Sequence, residues 1–135
     1  MEIALVSLFS VLFGASLQYF FTKYLENQRH IRALKTEAYK DYLRYLADST
    51  RLLKNQDEIL ARLTDSAARI CLYGSERVVE KLAALEKLGG AIKTDEQRQS
   101  FVELVAAMRS DSTGGEEIDD VNLAFVLLRK KSSAT

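Results

Sequence analysis

Residues 3–21, IALVSLFSVLFGASLQYFF, run for 19 positions without one charged side chain. As a helix rising about 1.5 Å per residue, the segment is roughly 28 Å long, the thickness of a bilayer's hydrocarbon core. No second run of this kind occurs in the 135 residues. The chain therefore predicts a single membrane span joined to one soluble body. A secretory signal would open on basic residues, use a shorter apolar stretch and stop at a small-residue cleavage site. Here the only side-chain charge ahead of the run is Glu2, and Leu17, Tyr19, Phe20 and Phe21 carry the apolar segment past the small triplet Gly14-Ala15-Ser16. The reading is an anchor that stays.

Orientation follows from the flanks. Tyr19, Phe20, Phe21 and Tyr24 cluster at one end, where an interfacial aromatic belt belongs, and Lys23, Arg29, Arg32, Lys35 and Lys40 come directly after. No Lys or Arg precedes the span. Basic residues stay on the cytoplasmic side, which predicts an outside amino terminus and a cytoplasmic body. The single cysteine, Cys71, excludes an intrachain disulfide and agrees with a reducing compartment.

About 110 residues remain beyond the anchor, enough for one small domain. Lys plus Arg and Asp plus Glu number 19 each. No global field draws the chain to a nucleic-acid duplex, and the basic residues beside the span have anionic headgroups as partners. Proline is absent, and the 59 residues between Gly14 and Gly74 hold neither strong helix breaker. The fold class is all-α: an N-terminal transmembrane helix continuing into a cytosolic bundle of four to five helices. The expected division is an anchor over 1–22, a basic juxtamembrane neck over 23–37, a bundle over 38–130 and a disordered tail over 131–135.

Within that frame the first helix runs on from the membrane. Acid-then-base pairs three residues apart (Glu26 with Arg29, Glu37 with Lys40, Asp41 with Arg44, Asp48 with Arg51) support it. The neck reads as solvated, and from Ala38 an inward stripe follows through Tyr42, Tyr45, Leu46, Ser49, Leu52 and Leu53. Asn55-Gln56 marks the break. A second helix over about 57–73 turns Ile59, Leu60, Leu63, Ala67, Ile70 and Cys71 inward. Gly74 then caps its end and Ser75 starts the third, over 76–88, which buries Val78, Val79, Leu82 and Leu85. After Gly89-Gly90, the capping box Thr94-Asp95-Glu96-Gln97 opens a fourth with Phe101, Val102, Leu104, Val105 and Met108 inward. Residues 110–115 read as a polar loop. Ile118, Val121, Leu123, Ala124, Phe125, Leu127 and Leu128 form a closing helix that ends at Arg129-Lys130-Lys131.

Chemistry-bearing residues are few. His30 stands alone in the basic neck, which leaves neither a catalytic triad nor a multi-histidine metal site. No arginine precedes it at the spacing that HEPN-type helical ribonucleases require. Cys71, beside Ile70, reads as a buried apolar thiol. No Walker, dinucleotide or CxxC motif occurs. These residues imply no catalytic group, no metal and no cofactor. Two places stand above that background. Ser75 starts a helix whose first turn holds Arg77, and Arg109 ends the next; free N–H groups and guanidinium groups together suit an anion. In the anchor, Ser7, Gly14 and Gln18 share one face with Ser10 one step aside, the small-residue pattern through which spans self-associate.

Three stretches resemble a group of small bacterial membrane proteins. They are the span and basic neck with Glu37-Ala38-Tyr39-Lys40-Asp41-Tyr42-Leu43; Leu72-Tyr73-Gly74-Ser75 with Val78-Val79; and Leu104-Val105-Ala106-Ala107-Met108-Arg109-Ser110-Asp111. The resemblance implies an inner-membrane protein with one span and a cytosolic helical bundle. Some CRISPR-associated membrane accessory proteins share that plan and oligomerise to perturb the membrane in antiviral defence. The expected function is a non-enzymatic oligomeric membrane protein whose bundle binds a protein partner or signal. The alternative is a regulated membrane effector or pore gated by a ligand, such as a nucleotide, on the bundle.

Overall fold

The computed structural model describes residues 1–51 and 55–129, and among them all regular structure is helical. Five helices follow in order: α1 (Glu2–Ser49), α2 (Gln56–Tyr73), α3 (Glu76–Lys87), α4 (Asp95–Thr113) and α5 (Asp120–Leu128). The chain forms two compact units, Met1–Ala33 and Leu34–Thr135.

The first unit is the amino-terminal part of α1. Every one of its residues is exposed. α1 contains a window of mean hydropathy 1.8 and is long and apolar enough to cross a membrane. Its hydroxyls are satisfied within the helix. Ser7 donates to the Ala4 carbonyl, Ser10 to Val6 and Ser16 to Leu12, each at 2.9 Å. That pairing removes the penalty for placing a hydroxyl among lipid tails.

In the second unit the core is built from Ala38, Tyr39, Tyr42 and Leu46 of α1, Ile70 of α2, Val78, Leu82 and Leu85 of α3, and Leu104, Ala107 and Met108 of α4. The helix boundaries have local causes. α1 ends where Ser49 and Thr50 turn their hydroxyls back to the Leu46 and Ala47 carbonyls, both at 2.7 Å, taking acceptors that the next turn would use. α3 gives way to α4 through Gly89 and Gly90, whose φ values of 104° and 62° are readily adopted only by glycine. The capping box at Thr94 forms in both directions. The Gln97 side chain also donates to the Leu88 carbonyl at 2.6 Å, tying the turn to the start of α4.

Several sequence expectations need correction. Cys71 is exposed, as is Leu60. The inward direction of α2 is set by Leu63, Ser66 and Ile70, and positions 60 and 71 lie roughly 80–100° to one side of it at 100° per residue. Ser66 is buried instead, its hydroxyl bonded to the Leu63 carbonyl. Residues 110–113 belong to the last turn of α4 rather than to a loop, and Gly114 in the left-handed conformation ends that helix. α5 buries no residue; Val121, Phe125 and Val126 are more than half exposed, while Leu123, Ala124 and Leu128 are partly covered. Its apolar residues lie nearly all round a nine-residue helix, so their spacing selects no face. Lys35 and Thr36, read as solvated neck, are half-buried. Leu52, Leu53 and the 131–135 tail lie outside the described residues.

Candidate functional site

Polar groups converge most closely around the Tyr39 hydroxyl. Residues 34–49 of α1 bring Lys35 and Tyr39 to one face, one turn apart. α4 supplies Asp111 from its last turn, and the α2–α3 junction supplies Gly74 and Ser75. Tyr39 donates to Asp111 Oδ2 at 2.5 Å, and Lys35 Nζ reaches the same oxygen at 3.0 Å. The Lys35 and Asp111 side chains are each only 16% exposed. Gly74 closes the fourth side: a Cβ there would meet the Ile70 carbonyl oxygen at 2.6 Å and the Tyr39 hydroxyl at 3.1 Å. Its φ of −72° is open to any residue, so the need for glycine is steric rather than conformational.

Electrostatics follow from this packing. Burial holds the Tyr39 hydroxyl well above its ordinary value, and the hydrogen bond to the Asp111 carboxylate and its charge push the same way. Tyr42, one turn on, is raised for the same reasons, with Glu86 of α3 as its acceptor at 2.8 Å. Arg69 of α2 bonds to Asp41 of α1 at 2.8 Å and to Asp65 at 3.1 Å, so Asp41 pairs across helices rather than with Arg44. The hydrogen bond to Asp41 is the main reason its guanidinium is held still more firmly protonated. Lys81 of α3 donates to Glu103 of α4 at 2.8 Å, which lowers the Glu103 carboxyl.

Chemically, these groups are matched to one another. A tyrosine with a raised pKa, bonded to a carboxylate, is a donor at neutral pH and not a base. Each carboxylate in the set has a cation or hydroxyl on it. The cluster joins α1 to α2, α3 and α4 through directional bonds that a purely apolar core lacks. Tyr39, Gly74 and Asp111 meet in it from three separate segments of the chain.

Compared with known proteins, the chain matches no family model, no curated protein and no solved structure.

Of the residues singled out for anion binding, Ser75 borders the Tyr39 cluster, whereas Arg77 and Arg109 reach a different segment. Ser75 is the N-cap of α3 and accepts from the Val78 N–H at 3.4 Å. Arg77 approaches Glu117 at 3.9 Å and Arg109 approaches Glu116 at 3.5 Å, so both arginines reach the same short segment before α5. A shallow depression beside Arg77 is lined also by Ser110, Glu117, Asp119 and Asp120. Its carboxylates supply the negative charge that a bound anion would bring. On the amino-terminal part of α1, Ser7, Ser10, Gly14 and Gln18 are exposed, and nothing approaches a Cβ built on Gly14 within 4 Å. His30 is exposed on α1, and no group of three or more His, Cys, Asp or Glu suited to a metal occurs among the described residues.

Residue-by-residue reasoning missed Lys35, Glu86 and Asp111 as partners of the buried tyrosines. Nothing in the local spacing pairs residues 72 positions apart.

Proposed function

We propose that this chain is a single-pass protein of the bacterial inner membrane, with its amino terminus outside and its bundle in the cytoplasm. In this reading it assembles through its span and holds the bundle as a docking body for a protein partner or signal, without chemistry of its own. The observation that carries the proposal is α1 itself. One helix supplies both an apolar segment of membrane length and four core residues of the bundle. The basic residues that follow the apolar run support the orientation. The mutual pairing of Tyr39, Tyr42, Asp41, Asp111 and Arg69 supports a structural use of the bundle's polar groups. The likeness to small bacterial membrane proteins, including CRISPR-associated ones, belongs to the same proposal.

Vesicles loaded with a self-quenched dye and reconstituted with the whole chain test it. A docking protein releases no dye above protein-free vesicles. Dose-dependent release would replace this reading with the membrane effector, and a panel of nucleotides, cyclic oligonucleotides included, would then identify any gating ligand. Self-association is checked in the same samples by chemical crosslinking. Gly14→Leu with Gln18→Leu should reduce it, because close approach and a cross-helix hydrogen bond are removed together.

A further inference from the structure

Val102 of α4 is fully buried, yet it takes no part in the main core. At 100° per residue it points roughly 160° away from Leu104, the core residue two positions on. Among the described residues α4 packs closely on two helices, α3 and α5, and α5 packs on α4 alone. α3 meets α4 through the bond from Lys81 to Glu103, about 100° round from Val102. The other neighbour covers Val102. Ile118, Asp119 and Asp120, which lead into α5, line one depression with Ala106, one turn on from Val102. Leu123, Ala124 and Leu128 are the partly covered residues that α5 then brings along α4. α4 thus carries a second apolar strip, apart from the bundle core and closed by a nine-residue helix.

We infer that α5 is a detachable strap, latched by two ion pairs, that leaves α4 and uncovers Val102 while the other four helices stay folded. The latch lies at its start. Glu117 faces Arg77 of α3 at 3.9 Å, and Glu116 faces Arg109 of α4 at 3.5 Å. Arg109, the most covered of the four side chains, is still 45% exposed, so each pair is weak and screened by salt. Gly114-Gly115 is the hinge. Both have positive φ and nothing within 4 Å of a Cβ built on them, so the chain turns there without a clash.

Detachment leaves the rest of the bundle intact. The core cluster holds no residue of α5, and α5 buries none of its own. α1 is tied to α2, α3 and α4 by the Asp41–Arg69, Tyr42–Glu86 and Tyr39–Asp111 bonds, none of which involves α5. A helix of nine residues does not persist in water by itself, so the released strap unwinds. Opening is then a local equilibrium below global unfolding, and its latch makes it depend on ionic strength. The inference goes beyond the docking role and stands whether or not the chain lies in a membrane.

Thiol labelling of the whole chain in a neutral detergent tests the strap, on a Cys71→Ser background because that thiol is exposed. Val102→Cys and Val78→Cys make the same change at two fully buried sites, one under the strap and one in the core. In native conditions the Val102→Cys thiol should react at least roughly ten-fold faster than the Val78→Cys thiol, the mark of sub-global opening. High salt, or Glu116→Gln with Glu117→Gln, should speed the first reaction several-fold and leave the second unchanged. Hydrogen exchange of the unaltered chain reads the same opening without a core substitution: the amides of residues 124–128 should exchange well ahead of those of 102–108. Exchange of the two segments at one rate would show that α5 opens only with the whole bundle, and would overturn the strap. A Val102→Cys rate indifferent both to salt and to the paired Gln substitutions would overturn the latch.

Discussion

Gly74 shows how much of the bundle depends on a missing methyl group. The Ile70 carbonyl that accepts the Gly74 N–H at 2.7 Å would touch a Cβ at that position, and the Tyr39 hydroxyl stands just beyond it. Gly74→Ala should therefore destabilise a fragment beginning at Leu34 by about 1–3 kcal/mol, measured by urea denaturation. Relief of the clash by a shift of Tyr39 would also loosen its bond to Asp111. The buried tyrosines add a pH dependence. Their folded pKa values are raised, so both folded and unfolded chains keep these protons at neutral pH, and stability is unaffected there. Above about pH 10 the unfolded chain releases them while the folded chain holds them, and stability falls as pH rises. Tyr39→Phe and Tyr42→Phe should each lower stability at pH 7 yet flatten the alkaline loss. An alkaline limb unchanged in the double variant would assign the loss to other groups.

At the scale of elements, the ends of helices are determined by side chains near them. The Thr94 hydroxyl accepts from the Gln97 N–H at 3.2 Å, and Gln97 Oε1 accepts from the Lys93 and Thr94 N–H groups at 2.9 and 3.0 Å. Thr94→Ala should cost roughly 1 kcal/mol in the same unfolding measurement, the usual loss for an N-cap hydroxyl. Gln97→Ala should cost more, since it also frees the Leu88 carbonyl. This box was legible in advance because all its parts lie within four residues. The end of α4 was not. A run of Ser, Asp, Ser and Thr has the composition of a loop, yet Asp111 is held in the helix by Tyr39 and Lys35 of a distant segment. Helix propensity is a weak prior, and tertiary bonds override it.

For the molecule as a whole, the placement of charge along α1 makes a prediction about topology. With the proposed orientation, a reporter fused after Thr135 is active only in the cytoplasm. Adding basic residues ahead of Ile3 while neutralising Lys23, Arg29 and Arg32 should weaken or invert that orientation, read as reporter activity on the outer face. Activity confined to the outer face in the unaltered chain would reverse the assignment. The exposed apolar residues of α5 show the opposite case, where composition gives the helix but not the face it covers. The closing helix forms as expected, but Val121 and Phe125 on it remain more than half open.

Short-range physics made the architecture readable from the chain alone. An uncharged run of membrane length, a long stretch without glycine or proline, the Gly74 and Gly89-Gly90 breaks and one good capping box were enough for an all-helical protein with an amino-terminal apolar helix. Each of these signals acts within a few turns of itself, so it is present before any packing occurs. What the tertiary structure decided is which polar groups meet. Asp41 had a plausible partner three residues away and took Arg69 instead. Arg77 came to lie against Glu117 and Arg109 against Glu116, and Cys71 turned outward because it lies to one side of the Leu63, Ala67 and Ile70 face that α2 presents to the core. Such pairings depend on the relative rotation of separate helices, set by the fit of whole core surfaces; a change of 100° at one helix replaces every partner it has.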